Sequence, residues 1–207
     1  MAETELPLFE LPVVLLPGEH LPLHVFEPRY RAMIGHSLRT GEPFGIVYRG
    51  EDSGPATVGC TAEVTEVIER FDDGRLNILV TGGVAFNVIE RFEAPEWPAG
   101  TVELINPADE PLERDPGAAE RARAAFDELA REAAEDPGEV AEAGEGDAFE
   151  LAGRITLPPE TKQKLLETRS EAERIRTLAR ALEAVLRAVR RSTAVAENAQ
   201  TNGHAPL

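Results

Sequence analysis

From Leu6 to Ile34 the chain reads LPLFELPVVLLPGEHLPLHVFEPRYRAMI, its apolar residues falling in short runs broken at Pro7, Pro12, Pro17 and Pro22. A proline inside a helix removes a hydrogen bond and collides with the preceding turn, so no long helix forms before Pro28, where proline suits a first helical turn. The stretch predicts strand, turn, strand, helix. Val13 to Leu16 is an apolar run stopped by the turn pair Pro17-Gly18, and Leu21, Leu23 and Val25 then alternate with Pro22, His24 and Phe26. A period of two describes a strand with two different faces. Pro22 withholds an N–H from any ladder, which places this strand at a sheet edge or gives it an irregular start. From Pro28 to Leu38 the spacing of Tyr30, Met33, Ile34 and Leu38 predicts a helix with one buried face.

Further strands are predicted at Phe44 to Tyr48 and at Thr57 to Phe71, where Val58, Cys60, Ala62 and Val64 alternate with other residues. Asp73-Gly74 is a hairpin signal. Leu76 to Thr81 and Val84 to Phe92 read as two strands divided at Gly82-Gly83 by a tight turn or bulge, and Thr101 to Ile105 as a weaker last one. Some six short strands joined by turns predict an antiparallel sheet curled towards a barrel. Past Asp115 the period changes to three and four, with Pro116 in a first turn and Ala119, Ala122, Phe126, Leu129 and Ala133 on one face. Asp136-Pro137-Gly138 ends that helix, and Glu139 to Gly146 reads as a loop. Asp147 with Glu150 forms a capping box for a short helix to Ile155, a helix over Glu160 to Thr168 follows, and Ser170 with Glu173 forms a second box. The last helix carries Ile175, Leu178, Leu182, Val185 and Val189 as a seam. The expected organisation is a β-rich part over residues 1–115, a helical subdomain over 116–191 and a disordered tail over 192–207.

Charge narrows the partners. The net charge is −17, with 8 Lys and Arg against 21 Asp and Glu over residues 1–115 and 13 against 16 over residues 116–191. Such an acidic front repels phosphate backbones and anionic membranes, so neither nucleic acid nor membrane is expected. Cys60 is the single cysteine, which leaves no intramolecular disulfide and suits a reducing compartment. No run approaches the ~20 apolar residues of a membrane span, and MAETELP does not resemble a secretion signal, so a soluble cytoplasmic protein is expected.

Most candidate chemistry fails on pattern. No glycine loop followed by Lys and Ser or Thr is present to hold a nucleotide. The two lysines, Lys162 and Lys164, are expected on a solvated helix face rather than in a Ser–Lys dyad. His20 and His24 are separated by Pro22 on a strand and have no third ligand, so neither metal nor cofactor is expected. Cys60 reads as a small buried hydrophobe, and Asp72-Asp73 as turn residues. What remains is recognition by surface. The candidates are the aromatics Phe26, Tyr30, Phe92 and Trp97, with Glu27 and Arg29 around Pro28. Five of the six have a competing structural role: core for Phe26 and Tyr30, strand end for Phe92, helix entry for Glu27 and Arg29; exposure of Trp97, in a loop between Glu96 and Pro98, would most favour binding. An unpaired strand edge offers a second route.

The segments LPLFELPVVLLPG and LPLHVFEPRYRAMI resemble the opening of the Lon substrate-binding domain, the N-terminal domain of ATP-dependent Lon proteases. Val58 to Ala62, Asp73 to Val80 with Gly82 and Phe86, and LPPETKQKLL from Leu157 to Leu166 resemble later parts of it. The resemblance implies an α+β fold, a PUA-like antiparallel β-barrel followed by a helical subdomain. Lon proteases continue into an ATPase domain and a Ser–Lys protease domain; this sequence to Leu207 has neither, so a stand-alone, non-catalytic domain is expected. Where the family tends to place an arginine before a phenylalanine, this chain has Ala85-Phe86. The resemblance implies binding of unfolded or extended protein segments, as an adaptor in protein quality control beside a protease system. Two alternatives stand beside it: a hydrolase with an unadvertised site, and a scaffold packing its C-terminal helix against another subunit.

Overall fold

A computed structural model describes residues 3–51, 54–106, 110–111, 113–133, 144 and 146–202, with side chains through residue 192. The strands are β1 (Glu3–Leu11), β2 (His20–Val25), β3 (Phe44–Arg49), β4 (Pro55–Arg70), β5 (Leu76–Glu93) and β6 (Pro98–Leu104). The helices are α1 (Pro28–Thr40), α2 (Pro116–Ala133), α3 (Ala148–Gly153), α4 (Pro159–Glu167) and α5 (Glu171–Asn202). The sheet runs β2-β5-β4-β3-β1-β6, and a further β5–β6 pairing closes five of its strands into a barrel. Outside that ring, β2 pairs only with the first half of β5, from His20↔Thr81 to Val25↔Leu76. Pro22 thus sits on an edge strand, where its missing N–H is tolerated.

Three strand readings change. Val13 to Leu16 is not a strand: bracketed by Pro12 and Pro17, it forms a loop whose Val14, Leu15 and Leu16 enter the core. β1 instead comes earlier, and it runs parallel to β3, Leu8 facing Gly45. The intervening β2 and α1 supply the long crossover that a parallel pair requires. Finally, β5 is one strand rather than two. Its Gly82-Gly83 pair forms a bulge: Cys60 faces Ala85 and Ala62 faces Gly82, so Gly83 and Val84 oppose Thr61 alone. The Thr61 hydroxyl accepts the Val84 N–H at 2.7 Å, satisfying a donor that the bulge displaces.

Phe86 fills the barrel interior with Leu6, Leu8, Val47 and Val102. It lies against two strands only because they carry glycine there; a Cβ at Gly45 or Gly59 would come within 2.6 or 2.5 Å of its ring. A second, larger core joins barrel residues such as Phe44, Ile78 and Val80 to Leu165, Leu178 and Leu182 of the helices.

The helical part brings four corrections. The seam of α5 is buried only through Ile175, Leu178 and Leu182, with α2 packed alongside; Leu186 rather than Val185 continues it, and Val185 and Val189 are half-buried and line an open cleft with Phe126 and Leu129. The Ser170 hydroxyl is buried without a hydrogen-bond partner, so the second capping box does not form. The box of Asp147 and Glu150 does. α5 also stays helical to Asn202, across the start of the expected tail; Asp136-Pro137-Gly138 lies outside the described residues. Lys162, read as solvated, is half-buried: its side chain is 13% exposed and bonds the buried Glu19 carboxylate, itself 7% exposed. The other Glu19 oxygen accepts the Leu16 N–H at 3.0 Å. One turn of α4 thereby clamps the 13–19 loop to the helices, while Gln163 donates to the Val58 carbonyl of β4 at 3.1 Å. Lys164 is exposed, as expected. No helix among the described residues is long and apolar enough to cross a membrane.

Candidate functional site

At one mouth of the barrel a cleft of about 400 Å³ opens between the start of α1 and the β5–β6 edge. Its apolar wall consists of Leu8 from β1, Phe92 from β5, and Pro98 and Ala99 from β6. Each is placed by strand register: Phe92 faces Ala99 and Glu93 faces Pro98 across the last rungs of β5–β6. Pro28 at the first turn of α1 turns Glu27, Arg29 and Tyr30 towards the same mouth.

Charge in the cleft is organised around Glu10, whose side chain is 17% exposed. Arg49, at the end of β3, directs Nε at 2.8 Å and also Nη2 to one Glu10 oxygen. Arg91 of β5 places Nε 3.5 Å from the other oxygen and donates through Nη2 to the Ala56 carbonyl. Arg29 donates from Nε to Glu27 at 3.1 Å and stacks its guanidinium 4.5 Å above the Tyr30 ring. Beneath it, Tyr30 is buried against Phe9, ring centres 4.1 Å apart. Burial pushes its phenol above the usual range, the Arg29 charge partly opposing the shift. Tyr30 is therefore a neutral platform that fixes Arg29.

Four of the six sequence candidates meet in this cleft: Glu27, Arg29, Tyr30 and Phe92. Phe26 does not. It is 57% exposed at the end of β2, stacked 5.9 Å from His24, which meets Phe71 edge-on at the same distance. That contradicts a core role for Phe26 and makes a separate aromatic patch at the hairpin end. Trp97 precedes the cleft wall by one residue, but its half-buried ring packs on the core and lies 5.2 Å from His36. Sequence reasoning missed Glu10, Arg49 and Arg91. Glu10 is a single charge in the apolar run from Leu6 to Leu16, Arg49 is the single charge of β3 and Arg91 follows Glu90, so nothing along the chain links the three, which come from three different strands.

Other candidate chemistry is absorbed by structure. His24 bonds Asn77 at 2.7 Å on the exposed face of β2, and among the described residues no group of three His, Cys, Asp or Glu is placed to hold a metal. The Lys162 Nζ faces a carboxylate rather than a serine. Among the described residues two edges are open to strand addition, and both are guarded: β2, paired only with β5, carries Pro22, and β4 beyond Ala62 has two register shifts and exposes Glu63, Glu66 and Glu69. Bulges and charges are what protect an edge from another strand. Cys60 is fully buried, and burial pushes its thiol up to about 12. Native protein at pH 8 is accordingly expected to resist a thiol reagent, and urea-unfolded protein to react at the rate of a free cysteine; equal rates would place Cys60 at the surface.

Residues 5–184 match the family described as the ATP-dependent protease La (LON) substrate-binding domain. The chain belongs to that family. A Lon protease of Paraburkholderia phytofirmans is 28% identical over an alignment of 220 positions, covering 95% of this chain and 26% of that protein. This chain thus spans about a quarter of that relative. A Lon N-terminal domain protein from Xanthomonas campestris superposes with a TM-score of 0.64 at 26% identity, covering 84% of this chain and 96% of the other. The N-terminal domain of a Mycobacterium avium complex Lon protease shares the fold, with a TM-score of 0.63 at 22% identity, over 87% and 98% of the two chains. The Lon substrate-binding domain match runs across barrel and helices alike, as the short sequence segments imply.

Proposed function

We propose that this Lon-type domain is a non-catalytic recognition module that takes exposed apolar segments of other proteins into the cleft at the barrel mouth, as an adaptor to a degradation system. The observation that carries this reading is convergence. Residues from β1, α1, β3, β5 and β6 form one cleft in which the 36%-exposed ring of Phe92 faces water beside an apolar floor and fixed guanidiniums. An aromatic anchor inside a polar rim is the usual anatomy of a protein-binding patch.

Binding of a fluorescent unfolded peptide rich in Leu and Phe tests it. Phe92→Ala is expected to weaken binding by about tenfold, the typical loss for a central aromatic anchor, with an unchanged thermal midpoint. Phe26→Ala, on the separate patch, is expected to leave affinity within about twofold, as surface positions outside a hot spot do. Indifference to Phe92→Ala would remove the cleft as the site. Cleavage of the peptide by purified protein, abolished by Lys164→Ala, would establish the hydrolase alternative instead.

A further inference from the structure

We infer that the cleft is built for the end of a protein chain, a C-terminal carboxylate with a bulky apolar side chain beside it. This rests on the cleft being the binding site proposed above. Arg49 and Arg91 both turn onto the single carboxylate of Glu10, while Arg29 is held by Glu27. With Glu27 and Glu93 the lining holds three glutamates against three arginines, but Glu93 makes no ion pair with Arg49 or Arg91 among the described residues, so an anion is drawn to that arginine pair itself rather than by a net charge of the lining. Part of the arginines' hydrogen-bonding capacity is not used within the protein: Nη1 of Arg29, Arg49 and Arg91 has no partner among the described residues. A guanidinium binds a carboxylate through paired N–H groups, so a ligand carboxylate completes an alternating Arg–Glu–Arg–carboxylate arrangement.

Two features select a chain end over an acidic stretch. The protein carries a net charge of −17, and exposed Glu93 stands on the same cleft wall. A run of acidic residues would meet both; a chain end brings one negative charge and leaves its neutral part beside Glu93 and the apolar wall. Size agrees, since about 400 Å³ is at the small end of ligand pockets and suits a terminal residue with one or two neighbours.

Three labelled peptides of one Leu- and Phe-rich sequence test the inference: one with a free C-terminal carboxylate, one amidated, and one amidated with an internal Glu. The free acid is expected to bind at least about tenfold more tightly than either amide, as charge-assisted hydrogen bonds to a carboxylate allow. The advantage should shrink in Arg91→Gln and in 0.5 M salt. It should grow in Glu10→Gln, which removes the competing carboxylate and keeps both arginines. Thermal midpoints identify any variant that fails to fold, in which case Arg49→Gln replaces Arg91→Gln. Equal affinity of acid and amide overturns the carboxylate while leaving the cleft reading intact. An internal-Glu amide matching the free acid overturns the chain end as its source. Failure of all three to bind, or binding indifferent to Phe92→Ala, overturns the cleft reading itself.

Discussion

Lys162→Met is expected to destabilise the fold by about 3–5 kcal/mol, because it strands the Glu19 carboxylate in a site that excludes water. The Glu19 side chain is 7% exposed and, among the described residues, retains only the Leu16 N–H as a donor once the ammonium is gone. A charge with one hydrogen bond and no counter-ion is far from its solvation in water. The double variant Glu19→Gln with Lys162→Met should recover much of the loss, since a neutral amide can still accept from Leu16 and methionine fills the volume of the lysine stem. Urea denaturation reads both: a lower midpoint at unchanged slope for the single variant, and partial return for the double. A single-variant loss below about 1 kcal/mol would mean that the pair behaves as a solvated surface bridge.

Gly82→Ala is expected to cost about 3 kcal/mol or more, combining overpacking with lost backbone hydrogen bonds. A Cβ at Gly82 would stand 2.0 Å from the Leu16 carbonyl oxygen, which is backbone and cannot rotate aside. The neighbouring bonds hold the strand and loop at that distance: Gly82 donates to the Glu19 carbonyl and accepts from Gly18, each at 2.9 Å. Pushing the loop away also breaks the Glu19–Lys162 clamp, so both predictions probe the same joint between barrel and helices. Gly35→Ala provides the opposite sign. It lies within α1 and its Cβ would touch nothing nearer than the flexible end of Arg39 at 3.5 Å, so helix propensity alone predicts a gain of up to about 1 kcal/mol. Similar midpoints for the two alanine variants would show that the bulge can shift to admit a side chain.

Much of the fold was readable locally because the signals are local. Asp73-Gly74 makes the β4–β5 hairpin turn with Gly74 at φ 84°, and Asp147 with Glu150 caps α3 as spaced. Pro28 opens α1, and Tyr30, Met33 and Ile34 are buried on the predicted face. The failures share a cause. Ser170 has the capping pattern, but the buried Arg174 network there bonds Glu110, Glu171 and the Thr168 carbonyl, and the serine hydroxyl is left out of it. Val13 to Leu16 has the composition of a strand, but lies where a loop must plug the core.

The candidate site divides along the same line. Glu27, Arg29 and Tyr30 are neighbours in sequence on one helical turn, so their convergence follows from the proline that starts the helix. Phe92 joins them only through barrel closure, as do Glu10, Arg49 and Arg91, contributed by separate strands. The helix starts, the hairpin turn, the acidic composition and the family resemblance are properties of residues a few positions apart, and so are legible along the chain. Which charges meet follows from how the barrel closes. Whether a lysine faces water or Glu19 depends on a contact 143 residues distant, and no period along the chain encodes the partner that closing a barrel brings to it.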